Sequence, residues 1–477
     1  MSTRASGVTA EGDGKLAIVI MAAGKGTRLK SRRPKVLHEI GGRSLLAHVV
    51  AAAGKVVAPS DIVAVVGHQA ERVSAALLGT GIRFVEQTEQ RGTGHAVQTA
   101  APAIAAYENV IVLSGDAPLV RAETIENLLR FHREERAAMT LVSTEPEEIV
   151  HYGRVLRKSP HSNEVVAIVE QNMLAPEQQD LREINMGMYA FRTAALLKHI
   201  SELSTNNPQG ELYLTDLAHV LYAAGERVVV FRHGDAAELM GANTIAELVA
   251  LDAQLRDVTA RRLMDSGVTI FRPETCVLDA EVEVGPDTVL EPFVQLLGST
   301  RIGSDCRIRS YTVVENCTVG DNTILRQSCV LAESSIGSGA DIGPFARMRP
   351  GCEIGDNVHI GNFVETKKSK LARGVKAGHL AYMGDSEIGE NVNVGAGVIT
   401  CNYNGVRKSL TRIGAGAFIG SDSTLVAPVT IGEGAYIGAG SCITKDVPAD
   451  SLAVARAHQI VKAGWAAARR AQQAPKE

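Results

Sequence analysis

The sequence predicts two domains of different class joined by a helix: an α/β domain with a parallel sheet, then a parallel β-helix. Four short apolar runs separated by helical segments indicate the first domain, up to about residue 243. A six-residue repeat from about residue 270 indicates the second. At 477 residues the chain is also too long for one hydrophobic core. We expect the α/β domain over 15–243, a helical arm over 244–268 and the β-helix over 269–465.

The apolar runs of the first domain contain few polar residues. Such runs are typical of parallel strands that helices cover on both faces. The four runs are LAIVIMAA (16–23), DIVAVVGH (61–68), NVIVLSGD (109–116) and MTLVST (139–144). The helical segments between them make βα units the expected connection.

The arm begins with a helix-start signature, in which Thr244 and Glu247 form a capping box. Apolar residues at three- and four-residue steps then predict one buried stripe: Leu248, Leu251, Leu255 and Val258. Gly267 can end the helix. About 22 residues of helix span roughly 33 Å, which is enough for an arm between domains.

The repeat of the second domain consists of an aliphatic residue followed by glycine. Ile-Gly or Val-Gly occurs thirteen times between Val284 and Ile437, and the aliphatic members are often six residues apart, as in Val313 and Val319. One inward aliphatic per six residues predicts a parallel β-helix. The phase breaks between Ile360 and Ile388 and between Val394 and Ile413. We expect extra loops to leave the solenoid at both breaks, and such loops often carry function.

Composition excludes several classes of protein. The net charge of −4 argues against a nucleic-acid or membrane-surface protein, whose basic excess would show. The seven cysteines are scattered singly without zinc spacing, so we expect small apolar members of the solenoid core in a reducing cytosol. The N-terminus has no apolar core like that of a signal peptide, and no apolar run reaches membrane-spanning length. Residues 1–14 are interpreted as a disordered lead-in and 466–477 as a flexible tail.

The turn after the first apolar run, Gly24-Lys25-Gly26, predicts an anion site. It lacks the third glycine of a dinucleotide fingerprint and the Gly-Lys-Ser/Thr of a Walker A loop. Glycines let backbone amides approach an oxyanion, and a following helix start would add its dipole. Lys25, Arg28 and Lys35 bring full charges. Taken alone, the segment could equally be a solvated basic loop.

Motifs in both halves decide between these interpretations. In the first half they are GKGTRLKSRRPK (24–35), EQRGTGHA (89–96), LSGDAPL (113–119), YGR (152–154), EINMG (183–187) and GAN (241–243). In the second they are IGPFARMRPG (342–351), GNFVETKKSKL (361–371), KAGHLAYMGD (376–385) and GAGVITCNYNG (395–405). From about 15 to 465 the chain resembles the family of bifunctional N-acetylglucosamine-1-phosphate uridyltransferase/glucosamine-1-phosphate N-acetyltransferases. These make UDP-N-acetylglucosamine for bacterial cell-wall precursors.

The resemblance implies a Rossmann-like nucleotidyltransferase domain that transfers UMP from UTP. Lys25 and Arg28 suit the triphosphate, and Lys35 suits charge near the α-phosphate. Asp116 ends an apolar strand, where α/β sheets place ligands, and implies Mg²⁺; the resemblance supplies Asn243 as second metal ligand. It also assigns the nucleotide to Met21, Ala22, Ala23 and Gly24, and uracil to Gln87, Gly92 and Thr93. The ribose region is assigned to Ser114 and Gly115, and the sugar to Gly153, Glu170 and Asn185. An Asx turn at Asp116 and an ordinary strand-end carboxylate at Glu170 are the alternatives. His151 replaces a glycine usual in the family, which changes the expected sugar loop.

The resemblance implies acetyl transfer in a left-handed β-helix. The sugar amine must lose a proton, and His379 in KAGH, on the first phase break, matches the family's base. The resemblance assigns the sugar phosphate to Arg349 and Lys367, and the sugar to Glu365, Tyr382 and Asn393. Asn402 and Tyr403 lie on the second break. The acetyl-CoA groove is assigned to Ala396, Ser421 and Ala439, and Arg456 belongs to the tail. Of the thirteen histidines we expect most, such as His132 and His199, on helix surfaces, and His359 on the solenoid surface.

The implied partners are small molecules: glucosamine 1-phosphate, N-acetylglucosamine 1-phosphate, UTP and acetyl-CoA. We expect a cytoplasmic homotrimer with acyltransferase sites between chains, and no nucleic acid or membrane partner. One alternative is a monofunctional sugar-nucleotidyltransferase whose β-helix only oligomerises; another is a scaffold subunit with degenerate sites. His379 and an intact SGD motif argue against these alternatives respectively, and assays for both activities separate all three.

Overall fold

The computed structural model describes residues 14–146 and 152–473, in two compact units that divide between Leu255 and Arg256. The predicted lead-in, apart from Gly14, lies outside the described residues, and so does His151. Within the described ranges, no helix has the length and apolar character needed to cross a bilayer. A helix over Trp465–Gln473 occupies most of the predicted tail.

The first unit is built on a nine-stranded mixed sheet, and the four predicted apolar runs are confirmed as strands. The strands of this unit, including a separate hairpin formed by the second and third, are β1 (Leu16–Ala22), β2 (Glu39–Ile40), β3 (Arg43–Ser44), β4 (Ile62–Val66), β5 (Arg83–Glu86), β6 (Asn109–Ser114), β7 (Met139–Thr144), β8 (Arg154–Arg157), β9 (Val165–Val169), β10 (Ile184–Arg192) and β11 (Val228–Arg232). The order is β11-β7-β10-β6-β1-β4-β5, and off this path β8 pairs with β10 and β9 pairs with β8.

The expectation of a purely parallel sheet is wrong at two strands, β10 and β9, and β9 runs antiparallel to its neighbour β8. β10 runs antiparallel to both β6 and β7, whereas β5, β4, β1 and β6 are parallel. The chain reaches β10 from β9 through two short 3₁₀ turns and no α-helix.

Helices cover the sheet and continue into the second unit. They are α1 (Leu45–Ala53), α2 (Ala70–Ala76), α3 (Thr93–Ile104), α4 (Ala122–Glu134), α5 (Thr193–His199), α6 (Asp216–Ala223), α7 (Ala236–Leu239), α8 (Ile245–Asp265) and α9 (Trp465–Gln473). His132 on α4 and His199 on α5 are only 2% and 4% exposed, so their predicted surface placement is wrong. His132 Nδ1 lies 2.8 Å from Thr140 Oγ1, and burial lowers the pKa of this histidine to about 4.

The predicted arm helix is confirmed as α8, with two differences in detail. Thr244 Oγ1 accepts the Glu247 amide at 3.2 Å, but the Glu247 carboxylate accepts the amide of Asn243 at 2.6 Å, one residue before the cap. Leu251 packs in a cluster with Ile40, Leu45 and Ala242. The stripe does not continue as predicted, because Val258 is 58% exposed while Ala260 and Leu263 are buried.

The second unit is the predicted parallel β-helix. Its strands form three parallel sheets, and each strand pairs with the third one along the chain, except that Tyr436–Ile437 pairs with the second one along, Leu452–Ala453. The first solenoid sheet comprises Thr269–Ile270, Val289–Leu290, Arg307–Ile308, Ile324–Leu325, Asp341–Ile342, His359–Asn362, Lys376–His379, Asn393–Val394, Phe418–Ile419, Tyr436–Ile437 and Leu452–Ala453. The second comprises Val277–Leu278, Gln295–Leu297, Val313–Glu315, Val330–Ala332, Arg347–Arg349, Glu365–Lys367, Tyr382–Gly384, Ile399–Cys401, Thr424–Val426 and Cys442–Ile443. The third comprises Glu283–Val284, Arg301–Ile302, Thr318–Val319, Ser335–Ile336, Glu353–Ile354, Lys370–Leu371, Ser386–Ile388, Thr411–Ile413 and Val429–Ile431.

Only one of the two predicted loop insertions exists. Between Ile360 and Ile388 the coils are continuous, and the inward side chains of Thr366, Leu371 and Met383 are buried in phase with them. Two steps of five residues, not an insertion, shift the phase there. A loop does leave the solenoid between Cys401 and Thr411.

The inward positions differ from the prediction at three places. Val314, not Val313, is the buried member of its strand. The expected cysteine core is confirmed for Cys276, Cys306, Cys317, Cys329 and Cys352, but Cys401 is half-buried and Cys442 is exposed. Burial raises the pKa of both Cys317 and Cys329 to about 11, so these thiols are inert packing groups.

Candidate functional site

The carboxyl ends of β1 and β6 and the start of α3 line a cleft of about 520 Å³. The cleft gathers ten of the residues predicted for the nucleotide site: Met21, Ala23, Gly24, Lys25, Lys35, Gln87, Gly92, Thr93, Ser114 and Asp116. Gln90 and Glu211 also line it, although neither was predicted from the sequence as a site residue. Its volume lies within the range of small-molecule sites.

The loop after β1 presents its charges without an α-helix. Gly26 has φ +61°, and a Cβ there would lie 2.5 Å from Lys35 Cβ, so this position excludes a side chain. A single 3₁₀ turn over Thr27–Leu29 follows. The expected helix dipole is therefore absent, and side-chain charges face the cleft instead.

Lys35 joins the two predicted metal ligands. Its Nζ forms an ion pair with Asp116 Oδ2 and donates to Asn243 Oδ1 at 2.8 Å. Arg28 donates to the same Asn243 oxygen at 2.7 Å. Ser114 Oγ donates to Asp116 Oδ1 at 2.5 Å and fixes the carboxylate. The structure thus brings these predicted residues together from segments more than 200 positions apart.

This donor set fits magnesium. Asp116 and Asn243 offer two hard oxygens that converge on one cationic group, the Lys35 ammonium. A Cβ on Gly241 would lie 2.9 Å from Asp116 Oδ2, so glycine leaves room beside the carboxylate. Within residues 14–146 and 152–473, no group of three or more His, Cys, Asp or Glu could hold a metal. Mg²⁺ with one or two protein oxygens, completed by water and phosphate, needs no such group.

The residues predicted to read uracil are fixed by a neighbouring segment. Gln87 is 2% exposed, and its Nε2 donates to the Gly92 carbonyl at 3.2 Å. Gly92 has φ +110°, and a Cβ there would lie 2.5 Å from the Leu212 carbonyl oxygen. Thr93 Oγ1 accepts the Leu214 amide at 3.0 Å. The segment 212–214 therefore holds the edge of the cleft in place.

The residues predicted to hold the sugar form a second group. The Asn185 amide donates to the Gly153 carbonyl at 2.9 Å, and a Cβ on Gly153 would lie 3.7 Å from Glu170 Oε2. Thr215 Oγ1 donates to Glu170 Oε1 at 2.8 Å, while burial raises the pKa of Glu170. These contacts fix a carboxylate that can accept sugar hydroxyls.

Tyr152 connects this group to the metal ligands and was not singled out from the sequence, although its YGR motif was visible. Burial is the main cause that raises the pKa of its hydroxyl, and the Asp116 charge adds to it. The backbone of Gly241 hydrogen-bonds the hydroxyl. Ala22 and Gly115 pack beneath the cleft instead of lining it: Ala22 is 3% exposed, and the Gly115 amide donates to the Met21 carbonyl at 3.0 Å.

In the solenoid, the predicted base shares a column with the predicted acetyl-CoA residues. Strand register aligns Lys376, Asn393, Phe418 and Tyr436 in successive coils. The residues three positions further along each coil are His379, Ala396, Ser421 and Ala439. Coils are about 4.8 Å apart, so this column places an exposed imidazole at one end of a row of small residues. Asn362, which sequence reasoning missed, lies one coil before His379, with Oδ1 at 3.4 Å from His379 Nδ1.

The predicted phosphate ligands are neighbours on the second solenoid sheet. Arg349 is in register with Lys367, and Glu365 with Tyr382. Arg349 donates to Glu365 Oε1 at 3.2 Å. These four residues form one polar patch of guanidinium, ammonium, carboxylate and phenol.

The loop after Cys401 adds a cation that the sequence did not reveal. Asn402 bonds Asp385, and Tyr403 pairs with Lys408 across the loop. The Lys408 ammonium meets that of Lys367, which lowers the pKa of Lys408. Two adjacent ammonium groups are a strong recognition feature for an anion.

Three predicted residues stand apart from this patch. Asn393 lies on the first solenoid sheet, one coil after Lys376. Tyr403 is 59% exposed, and its hydroxyl donates to the Gly405 carbonyl at 2.5 Å. Arg456 lies against Gly440, where a Cβ would be 3.8 Å from Arg456 Cδ. Arg456 is about four coils, roughly 19 Å, along the solenoid from His379 of the same chain.

Comparison with known proteins finds similarity in both units. The family model for a MobA-like NTP transferase domain matches residues 18–269, and that for the bacterial transferase hexapeptide of six repeats matches 333–368 and 410–445. The hexapeptide match agrees with the left-handed β-helix expected for the second unit.

Curated relatives match over nearly the whole chain. Bifunctional protein GlmU of Koribacter versatilis is 56% identical over 464 residues, 97% of this chain and 99% of that protein. Bifunctional protein GlmU of Solibacter usitatus is 50% identical, over 95% of this chain and 97% of that protein. Bifunctional protein GlmU of Pelobacter propionicus is 44% identical, over 94% and 98% respectively.

Proposed function

The chain belongs to the family of bifunctional GlmU proteins, and on this premise we propose that it catalyses two successive steps of UDP-N-acetylglucosamine synthesis. It acetylates glucosamine 1-phosphate from acetyl-CoA. It then transfers UMP from UTP to N-acetylglucosamine 1-phosphate and releases pyrophosphate. The observation that carries the proposal is that this one chain matches such relatives over both units.

Uridyl transfer is assigned to the cleft of the first unit. A phosphate oxygen of the sugar phosphate attacks the α-phosphorus of UTP, and the bond to the β-phosphate oxygen breaks. Lys25 and Arg28 neutralise the triphosphate, and Lys35 neutralises charge at the α-phosphate. Asp116 and Asn243 would hold Mg²⁺, which supplies charge neutralisation at the phosphates when bound. Gly153, Glu170 and Asn185 orient the acceptor sugar.

Acetyl transfer is assigned to the solenoid. His379 accepts a proton from the sugar ammonium, the free amine attacks the thioester carbonyl, and the carbon–sulfur bond breaks to release CoA. Ala396, Ser421 and Ala439 are small residues in the same column, which leaves room for the acyl donor. Arg349, Lys367 and Lys408 bind the sugar phosphate.

The remaining assignments concern organisation. Residues 15–243 carry uridyl transfer, 269–465 carry acetyl transfer, and 244–268 join them. We assign a homotrimer because hexapeptide solenoids present exposed repeat faces that suit cyclic assembly. The distance between Arg456 and His379 within one chain supports an acyltransferase site completed by a neighbour's Arg456. We assign the cytoplasm, where UTP and acetyl-CoA are available.

Two assays on the purified full chain test this function. Pyrophosphate release is measured from UTP with N-acetylglucosamine 1-phosphate, and thiol release from acetyl-CoA with glucosamine 1-phosphate. Both activities are expected. Pyrophosphate release alone would favour the monofunctional alternative, and neither would favour a scaffold. Sedimentation should give the mass of three chains; a monomer would contradict the assembly.

A further inference from the structure

A second cleft, of about 710 Å³, lies in the first unit between α1, α2 and the β2–β3 hairpin. It shares no lining residue with the 520 Å³ nucleotide cleft. Four cationic residues line it: Arg33, Arg43, Lys55 and Arg72. Glu39 is the one acidic residue in that lining. We call this space the basic cleft.

Two of the four cations of the basic cleft, Arg72 and Lys55, have no carboxylate partner in the described part of the chain. Glu39 is already paired with Arg33 at 3.1 Å. Arg72 donates to a neutral partner, Gln69 Oε1, at 3.1 Å. Lys55 has no ion-pair or hydrogen-bond partner for its ammonium in the described part of the chain. The lining has a formal charge of +3 in a protein whose net charge is −4, so the excess is local.

Beneath these cations the cleft is apolar. Its floor includes Val50 from α1, Ile62 from β4 and Leu77 from the end of α2, all of them buried. Cations over an apolar floor suit a ligand that has a negatively charged end and an apolar or aromatic body.

The basic segment from Gly24 to Leu37 contributes lining residues to both clefts. Lys25 and Lys35 line the nucleotide cleft, whereas Arg33 and Leu37 line the basic cleft. The proposed function uses Lys25, Arg28 and Lys35 and leaves Arg33 without a role. A second anion on the other side of this segment gives Arg33 one.

We propose that the basic cleft is a binding site for an organic phosphate with an apolar or aromatic body, separate from the nucleotide site. Guanidinium groups match phosphate oxygens in pairs, and three arginines line one space. The volume is within the range of small-ligand sites. The hairpin fixes the position of Arg43, because the Gly41 amide in its turn is bonded to Asp252 at 2.8 Å.

Pyridoxal 5′-phosphate is a suitable probe, because it combines a phosphate, an aromatic ring and an aldehyde. The aldehyde condenses with a lysine amine to an imine with loss of water, and borohydride reduces the imine to a stable amine. The full-length protein is labelled at low probe concentration, and each lysine is quantified by peptide mass spectrometry. Lys198, an exposed lysine on α5, gives the background rate. We expect Lys55 to be labelled about tenfold faster than Lys198, because phosphate binding concentrates the aldehyde.

Two matched comparisons separate recognition from simple reactivity. Pyridoxal without phosphate should label Lys55 and Lys198 at about equal rates. The double variant Arg43→Glu/Arg72→Glu keeps Lys55 but reverses two charges, and the preference should vanish. Arg130→Glu/Arg261→Glu makes the same charge change at residues outside the cleft and should retain the preference.

Labelling of Lys25 and Lys35 in the nucleotide cleft reports on the fold of each variant and on the other anion site independently. A variant that also loses the labelling of Lys25 and Lys35 is not correctly folded. The proposal is then tested by comparing pyridoxal 5′-phosphate with pyridoxal on the unmodified protein. The proposal is overturned if Lys55 is labelled no faster than Lys198. It is equally overturned if the preference persists with pyridoxal or in the folded Arg43→Glu/Arg72→Glu variant.

Discussion

At the scale of single residues, the nucleotide cleft depends on a partly buried charge pair, Lys35 and Asp116. The side chains of Lys35 and Asp116 are each 15% exposed, and each neutralises the other. A buried charge without a partner is costly, so neither can be removed without consequence for the other. The same pairing orients Asn243, because Lys35 Nζ contacts both Asp116 Oδ2 and Asn243 Oδ1.

The substitution Asp116→Asn should reduce uridyl transfer by about 10²–10³-fold, because it keeps the shape but removes the charge next to the phosphates. Pyrophosphate release measures the effect. Acetyl transfer by the same preparation is the internal control and should be unchanged. Uridyl transfer near the unmodified level would refute the role of Asp116.

His379→Ala should reduce acetyl transfer by about 10²–10⁴-fold, the usual contribution of a general base. Thiol release measures it, with pyrophosphate release as the reference for folding. His359→Ala is the matched control: it lies one coil earlier on the same solenoid sheet, 3.6 Å from Asp341, and should leave thiol release unchanged. A loss below about tenfold in His379→Ala would point to another base.

His132 predicts a pH effect on stability. The pKa of this buried histidine is lowered to about 4, against about 6.5 when unfolded, so protons bind the unfolded chain preferentially between these values. Stability is fully present above pH 6.5 and falls as the pH drops towards 4. From pH 7 to pH 5 the loss due to His132 is about 2 kcal/mol. Hydrogen exchange of the β7 amides should show this extra loss relative to His132→Gln; equal losses would contradict it.

Many of the nucleotide residues could be predicted because each lies in a short contiguous motif, such as GKGTR or SGD. The contacts that complete the sites could not. The Lys35–Asn243 bond joins residues 208 positions apart, and Lys408 meets Lys367 only because a loop folds back over the solenoid. His132 was misjudged because its helix looks amphipathic, and only packing against Thr140 of β7 reveals its burial.

At the scale of elements, the six-residue period predicted the solenoid but not its exceptions. Inward threonines interrupt the aliphatic pattern, and the structure satisfies their hydroxyls internally. Thr400 Oγ1 accepts the Gly384 amide at 2.8 Å and donates to the Gly384 carbonyl at 3.0 Å. A polar side chain so paired costs little in a core, so the coil continues where the sequence pattern stops. An insertion was wrongly expected between Ile360 and Ile388 because two steps of five residues, which add no loop, shift the six-residue phase there.

The loop between Cys401 and Thr411 predicts a binding role for Lys408. Its ammonium lies against that of Lys367, and a phosphate between them would relieve the repulsion. Lys408→Ala should raise KM for glucosamine 1-phosphate by about tenfold with a small effect on kcat. Arg407→Ala, the preceding residue of the same loop, is the control and should behave as the unmodified protein. An unchanged KM in Lys408→Ala would remove the loop from the phosphate site.

At the scale of the whole molecule, the boundary between the two units falls inside a continuous helix. Unit one ends at Leu255, ten residues after α8 begins and ten before it ends. The sequence predicted a helical arm from 244, but the first turns of α8 belong to the core of the first unit. Leu251 is 4% exposed there, and Asp252 accepts the Gly41 amide.

A fragment of residues 1–255 should therefore fold and retain uridyl transfer, while a fragment of residues 1–243 should not retain it fully. The shorter fragment loses Leu251 from its apolar cluster and loses Glu247, which anchors the Asn243 amide at 2.6 Å. Loss of a buried leucine side chain alone costs about 2–5 kcal/mol. Thermal unfolding should then occur about 5–15 °C lower in the shorter fragment. Pyrophosphate release should fall with it, because Asn243 becomes the last residue of the chain and no longer has a fixed backbone.

Neither fragment contains the repeats, so both should sediment as single chains. Equal melting temperatures and equal activities would show that α8 contributes nothing to the first unit and that the nucleotide site is complete at residue 243.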